Sequence, residues 1–399
     1  MPKYTPVEFP PGMVRGATSR TTPGRWYDGS LVRWREGVMA PIGGWERIDV
    51  ELLSSTARTI YGWVSSNEAR QIAIGCDKGF YSLWETRLLD ITPDDFIPDE
   101  STSEVGGYGT WDYGVDEYGT GRKEGTPDDF LVPNVISLDN FGNYLLAMAE
   151  TDGRLLAYDP RIQPAQKLKA VKAPEGKARV PLGNRAMLVS PERFCIIIGA
   201  DGHARRVAWS SREDYTDWDF SSPTNTAGFQ DLDAASSLVA LKSVKNATLI
   251  FSASEVWAMT YRGDQYVHGF EKIQENTSLI SPYAIASFNG KAMWWNRTGF
   301  SLYDNGYIKP VPCSVMDFLI QDVDPKWEGL RTHAVVNNVF SEVTFYYCSK
   351  GENSGAPPLP PVPVSGSSTV LTPVDQFAGS LTVKTPEAPG AGLEAFPDT

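Results

Sequence analysis

Long apolar runs are missing from this 399-residue chain. A membrane helix needs about eighteen consecutive apolar residues, and Phe194 to Ile198 is among the longest stretches present. The first residues, Met1 to Gly12, hold four prolines and no hydrophobic signal core, so neither a membrane anchor nor Sec export is expected. Cysteine is scarce and scattered: Cys76, Cys195, Cys313 and Cys348 lie far apart with no pair at metal-ligand spacing, which predicts reduced, packed thiols. Histidine is scarcer still. His203, His268 and His333 stand singly in turn or strand contexts, and a multi-histidine metal site would need all three to converge. Basic excess is absent as well: 49 Asp and Glu against 36 Lys and Arg leave a net charge of −13, which excludes a surface uniformly basic for gripping nucleic acid. No HExxH, CxxC or GxSxG pattern occurs. These absences predict that no residue is catalytic and that no metal or cofactor is held.

What the chain does have is glycine (36), proline (29) and 12% aromatic residues, a composition of short strands and tight turns. Its charge is sorted into segments. Residues 1–47 carry seven basic and four acidic side chains among Trp26, Tyr27, Trp34 and Trp45. From Asp90 to Phe130, twelve carboxylates face only Arg122 and Lys123, within the Gly/Tyr-rich run GGYGTWDYGVDEYGTG. Arg161 to Arg179 then holds six basic residues and one acid, Glu175, and reads as an exposed basic connector. Residues 351–399 contain nine of the prolines and neither Trp nor Tyr, so this stretch buries too little to fold alone. The expected organisation is an extended basic and aromatic head at 1–50, a β domain at 51–349 with an acidic insertion at 97–126, and a Pro-rich tail at 350–399.

Between these segments one pattern recurs: an apolar strand, a turn with Asp or Asn near Gly, then an apolar-aromatic strand. It appears at 71–84, 143–159, 194–210, 248–263 and 291–306, and a sixth pair follows at 333–348. The turns at Gly79, Gly153, Gly202, Ser254, Gly299 and Phe340 are separated by 74, 49, 52, 45 and 41 residues, the first step being long because it holds the acidic insertion. The others match the spacing of four-stranded propeller blades, about 40 to 50 residues. An all-β propeller-like array of five to six blades from about Thr59 to Cys348 is predicted, with a β-sandwich as the alternative. Only Val315 to Asp322 reads as helix.

Three motifs invite a chemical reading. Pro93-Asp94-Asp95-Phe96 recurs as Pro127-Asp128-Asp129-Phe130; paired carboxylates serve glycoside hydrolysis when they face each other across a cleft, but the same tetrapeptide is a turn or helix-start signal. GTGRKEG (119–125) has glycines at phosphate-loop spacing without the strand before it or the helix after it, and reads as a loop. SREDYTDW (211–218) reads as a hairpin corner. In the head, RWYDGSLVRWREG (25–37), a strand places Arg33 and Arg35 on one face and Trp34 on the other. Arg25, Trp26, Arg33, Trp34 and Arg35 then either contact DNA or pin the head to the fold through cation–π and ionic contacts.

The head PGMVRGATSRTTPGRWYDGSLVRWREGVMAPIGGWERI (11–48), the run at 106–121, the string WSSREDYTDW with NTAGFQDL (209–232), and the later stretches at 278–300 and VPCSVMDF (311–318) resemble the tail nozzle, or tail tubular, proteins of short-tailed bacteriophages. The resemblance covers roughly 1–349. It implies a β-propeller subunit in a ring of six below the portal and adaptor, in contact with tail fibre or spike proteins. Genomic DNA would pass through its lumen without sequence-specific binding, and the protein would reside in the virion tail after assembly in the host cytoplasm. Where such proteins continue in β-structure after the position of Cys348, a Pro-rich tail stands here. A carbohydrate-binding or glycoside-processing propeller is the alternative. In the insertion, Tyr108, Trp111, Tyr113 and Tyr118 join apolar area to a polar handle, so the segment reads either as a docking loop or as a solvated insertion. As a docking loop, its carboxylates, Asp112, Asp116 and Glu117 among them, are expected to face Lys167, Lys169 and Lys172 of the next copy.

Overall fold

Alternating side chains bounded by turn residues commit most of this chain to antiparallel ribbons. The computed structural model describes residues 10–15, 24–27, 29, 31–35, 37–42, 53–65, 70–84, 87–99, 134–161, 166–325, 327–350 and 379–380. The chain divides into two units: Met1–Glu46 with Pro312–Asp324 and Asn337–Thr399, and Arg47–Val311 with Pro325–Val336.

In the first unit, β1 (Val32–Arg35) and β2 (Val38–Pro41) form a hairpin with Arg33 opposite Ala40 and Trp34 opposite Met39. Among the described residues the second unit holds five sheets, each of four consecutive antiparallel strands. The first contains β3 (Ala57–Val64), β4 (Arg70–Cys76), β5 (Gly79–Trp84) and β6 (Arg87–Asp90). Next come β7 (Ile136–Phe141), β8 (Tyr144–Ala149), β9 (Leu156–Tyr158) and β10 (Lys169–Ala170). The third has β11 (Ala186–Val189), β12 (Cys195–Ile198), β13 (Arg206–Trp209) and β14 (Gly228–Asp231). The fourth has β15 (Leu238–Val244), β16 (Ala247–Ser252), β17 (Glu255–Tyr261) and β18 (His268–Glu275), and the fifth β19 (Ile285–Phe288), β20 (Lys291–Asn296), β21 (Gly299–Asp304) and β22 (Tyr307–Val311). The first strands lie side by side in chain order: β3 by β7, β7 by β11, β11 by β15 and β15 by β19. This is a propeller-like array of five blades, and the protein is all-β in class. Each of the first five recurring hairpins is the middle strand pair of one blade.

The sixth pair behaves differently. Its strands are β23 (His333–Asn337) and β24 (Glu342–Tyr347), which follow two short helices, α1 (Met316–Asp322) and α2 (Glu328–Arg331). Most of β23 belongs to the second unit and β24 to the first, where β24 pairs with the two-residue β25 (Gly379–Ser380). The four-stranded sheets therefore end at Val311, not at the expected 349. The thiols are free, with Cys76, Cys195 and Cys348 buried and Cys313 half-buried.

Four apolar cores separate successive blades, and period-two alternation decides which core each side chain enters. On β8, Leu145, Ala147 and Ala149 pack toward the first blade, whereas Leu146 and Met148 pack toward the third. On β12, Cys195 and Ile197 face the second blade and Ile196 and Ile198 the fourth. A strand buried on both faces must be apolar at every position, which is why these segments read as unbroken hydrophobic runs. Gly153 (φ +65°) shows how closely the blades approach at a turn: a Cβ there would lie 2.7 Å from the Cα of Gly183.

A first strand is paired along one edge only, so the amides of its other edge need acceptors. On β11, Met187 N–H donates to Ser137 Oγ at 3.3 Å and Val189 N–H to Asp139 Oδ2 at 2.8 Å. The two acceptors sit two residues apart on β7, matching the two-residue step of the free amides. Tyr283, just before β19, accepts the Ile136 N–H at 2.8 Å and donates to the Asn134 carbonyl at 2.9 Å, tying the fifth blade to the second. Tyr61 of β3 donates to Asn140 Oδ1 at 2.6 Å.

Two outcomes follow from this packing. Asp139→Ala strands the Val189 amide and should cost about 1–3 kcal/mol, while Asp139→Asn, which keeps an acceptor oxygen, should retain most of that; urea denaturation of both variants measures it, and equal losses would contradict the assignment. His268 is buried with its ring 4.8 Å from Phe194 and 5.0 Å from Trp209, and desolvation pushes its pKa down to about 4, with the Thr260 backbone opposing only weakly. The unfolded chain takes up this proton near its ordinary value of about 6.5. The contribution is therefore complete above that pH and is lost as pH falls toward 4, by up to about 3 kcal/mol. Subtracting the stability profile of His268→Phe from that of the parent isolates this slope, and a difference that stays flat from pH 7 to 4.5 would refute it.

Candidate functional site

Between the second and third blades the connector after β10 leaves a cleft of about 340 Å³. Its backbone is held by Val171 N–H donating to the Leu155 carbonyl at 2.8 Å and by a turn in which Lys177 N–H meets the Pro174 carbonyl at 3.0 Å. Val171, Ala173 and Leu182 give the cleft its accessible apolar side chains over the buried Leu155 and Val180, and Arg154, Lys172, Lys177 and Arg179 supply its rim. Three rim cations are anchored from behind. Arg154 is bound by Asp152 and Asp95, which raises its own pKa and holds the Asp95 carboxyl below the usual range. Lys177 pairs with Asp217 at 3.1 Å and Arg179 with Asp201 at 2.9 Å. Burial opposes ionisation of Asp217, but the Asp219 amide, Asn225 and Lys177 together outweigh it and keep the carboxyl low. Lys172 is exposed and has no ion pair among the described residues. An apolar floor ringed by cations suits a ligand with flat apolar groups and carboxylates in alternation.

The connector lysines expected to act together are separated by the fold. Lys167 binds Asp94 of its own chain, Lys169 lies exposed on β10, and of the three only Lys172 borders the cleft. The tetrapeptide from Pro93 to Phe96 is a turn, its Phe96 N–H meeting the Pro93 carbonyl at 3.2 Å and its ring set edge-on to Phe80 at 5.3 Å. Its carboxylates are held by separate cations, Lys167 and Arg154, rather than facing each other across a cleft. Pro127 to Phe130, the loop at 119–125, and Tyr108, Trp111, Asp112, Tyr113, Asp116, Glu117 and Tyr118 lie outside the described residues.

Both flanks of that segment are fixed. Ile97 N–H donates to Asp152 Oδ2 at 3.2 Å, Thr151 Oγ1 to the Ile97 carbonyl at 3.2 Å, and Asp99 N–H to the Asp77 carbonyl at 3.0 Å. On the far side Thr151 N–H donates to Asn134 Oδ1 at 3.4 Å. The turn at 150–154 thus anchors both flanks and also presents Arg154 to the cleft. Sequence reading missed Arg154 because it belongs to a hairpin turn, outside the basic run; its signal was the Asp-Gly-Arg turn itself.

In the first unit, the Arg33 guanidinium stacks 3.7 Å from the Phe340 ring centroid and pairs with Glu342 at 3.0 Å. Trp26 accepts the Val14 N–H through its carbonyl at 2.9 Å, Trp34 is half-buried on β1, and Arg25 and Arg35 are exposed. Arg15, one of the arginines of the basic head, stacks on Phe318 at 4.0 Å, and its N–H donates to the Ser314 carbonyl at 3.1 Å.

Other ionisable groups are packed among the blades. Half-buried Asp139 and Lys242 sit on the first strands of the second and fourth blades, where burial raises the carboxyl and lowers the ammonium. The 211–218 string is a corner: Ser211 N–H donates to the Asp217 carbonyl at 2.8 Å, and buried Trp218 donates to the Tyr215 carbonyl at 2.8 Å. His203 is exposed in a turn, and burial lowers the pKa of His333. Among the described residues no group of three His, Cys, Asp or Glu side chains is placed to hold a metal.

No family model and no curated protein matches this chain. Solved structures similar to it include the extracellular domain of BT4673 from B. thetaiotaomicron, at 12% identity and a TM-score of 0.37 over 74% of this chain and 38% of that one. PorZ, a surface component of the type-IX secretion system of Porphyromonas gingivalis, is 11% identical with a TM-score of 0.38 over 73% and 37% of the two chains. YCF48 from Cyanidioschyzon merolae is 7% identical with a TM-score of 0.38 over 69% and 76%. This chain spans under half the length of the first two.

Proposed function

We propose that this chain is a structural subunit of a short-tailed bacteriophage tail, a nozzle protein that forms a ring of six below the portal and adaptor and lines the channel through which genomic DNA leaves. The observation that carries the reading is the meeting of two stretches that bear the resemblance although they lie 301 residues apart, where Ser314 donates to the Met13 carbonyl. Beside it Arg15 is held by the Ser314 backbone and by the Phe318 ring. The stretches 11–48 and 311–318 therefore contribute to one module, as parts of a single family pattern should.

The charge balance suits a conduit. Duplex DNA gripped by many Lys and Arg contacts would be retarded in transit, and a chain of net charge −13 is compatible with an acidic or mixed lumen. Arg33, an expected DNA contact or clamp, is engaged by Phe340 and Glu342, which favours the clamp. A glycoside-processing propeller would use opposed carboxylates; Asp94 and Asp95 are instead held by Lys167 and Arg154, and Asp128 and Asp129 lie outside the described residues.

Sedimentation and electron microscopy of the full chain test the reading. Rings with six times the chain mass, or copies bound at one vertex of tailed particles, are expected. Those rings should hold fluorescent duplex DNA no more tightly than about micromolar in 0.15 M salt. A monomer that binds oligosaccharide overturns the assignment, and rings with steeply salt-dependent nanomolar DNA affinity overturn the passive lumen.

A further inference from the structure

We infer that the cleft between the second and third blades is the receptor for the acidic, aromatic segment 106–121 of a neighbouring copy. This rests on the ring reading above and names the contact that would close the ring. Complementarity carries it. The accessible apolar side chains of Val171, Ala173 and Leu182 accept flat apolar rings, and the rim of Arg154, Lys172 and Arg179 accepts carboxylates. The segment offers the two in alternation, as Trp111-Asp112-Tyr113 and Asp116-Glu117-Tyr118.

A second copy is a better occupant than the chain's own segment for two reasons. Copies of net charge −13 repel one another, so assembly needs a place where the acidic excess of one meets local cations of the next. One chain carrying both unlike patches packs head to tail, the arrangement that closes rings. Reach is sufficient: with its flanks fixed at Asp99 and Asn134, the intervening stretch extends up to about 55 Å. At the flank itself, Asp94 and Asp95 are already committed to Lys167 and Arg154, while Lys172 stands without an ion pair among the described residues.

The test places a photo-crosslinking benzoylphenylalanine at position 182 of the full chain, on the cleft lining and with every rim cation kept, in an equal mixture of ¹⁴N and ¹⁵N copies, with products mapped by mass spectrometry. Crosslinks joining position 182 to residues 106–121 with mixed isotopes are expected. Same-isotope crosslinks alone mean that the segment docks on its own chain, and crosslinks elsewhere, or none, mean that the cleft takes another partner; each overturns the inference. Lys172→Glu alters an exposed side chain with no ion pair among the described residues and should leave folding intact while weakening self-association roughly tenfold. Deleting residues 100–125 should weaken it at least as much. Mixing the two variants should restore one interface per pair, because each supplies the half the other lacks. Rings that persist in both variants would sink the docking and leave the nozzle reading standing, whereas a parent chain that stays monomeric and never joins a particle removes both.

Discussion

A β-strand paired on one side carries a row of unsatisfied amides, and a propeller-like array multiplies that problem by placing one such strand at the start of every blade. Here side chains of other blades supply the acceptors. Ser137 and Asp139, two residues apart on β7, take the two free amides of β11, and Tyr283 takes the amide of Ile136. Because strand spacing and amide spacing share the same period, one correct register satisfies the whole edge, and a slip of one residue would turn both acceptors away. The bonds therefore fix the mutual register of blades whose apolar contacts, being non-directional, would tolerate sliding.

The same geometry explains the hydrophobic code. Middle strands are sandwiched, so β8 and β12 are apolar at nearly every position and sort odd from even residues into different cores. Outer strands meet solvent on one edge and can be short and polar: β10 has two residues, and β14 is Gly-Phe-Gln-Asp with three exposed side chains. That shortness leaves room for the connector to fold back over the blade edge and form a cleft.

This asymmetry set what was legible in the sequence. The middle hairpins stood out because sandwiched strands separated by Gly-bearing turns leave a strong local pattern, and their spacing revealed the blade repeat before any long-range contact was considered. First strands such as Ile136–Phe141 carry polar residues for the edge amides and blur the alternation. The sixth hairpin looked equivalent locally, yet its strands are divided between two units, a partition determined by contacts with the distant head that no short window contains. The connector's charge was legible, but its pairing was not. Lys167, Lys169 and Lys172 are close in sequence and do different things, because a turn at 93–96 brings Asp94 to the first of them. Arg154 entered the cleft rim from another blade turn for the same reason: the topology selects partners across the fold, and composition reports only that cations are near.

The ion pairs behind the cleft rim give the charges a fixed geometry. An isolated surface lysine samples many rotamers and gains little from a carboxylate, about 0–1 kcal/mol. Arg154, held by two carboxylates, and Lys177 and Arg179, each held by one, have lost part of that freedom already when the blade folds. An incoming acidic group then meets cations whose ordering cost has been met by the fold, although each carries a partner that dilutes its attraction. Lys172 has the opposite balance, with its full charge available and its rotamers unrestrained. The apolar lining and the rim act together: a group that covers Val171 and Leu182 excludes water from the contact, which strengthens whichever ionic interactions remain at its edge.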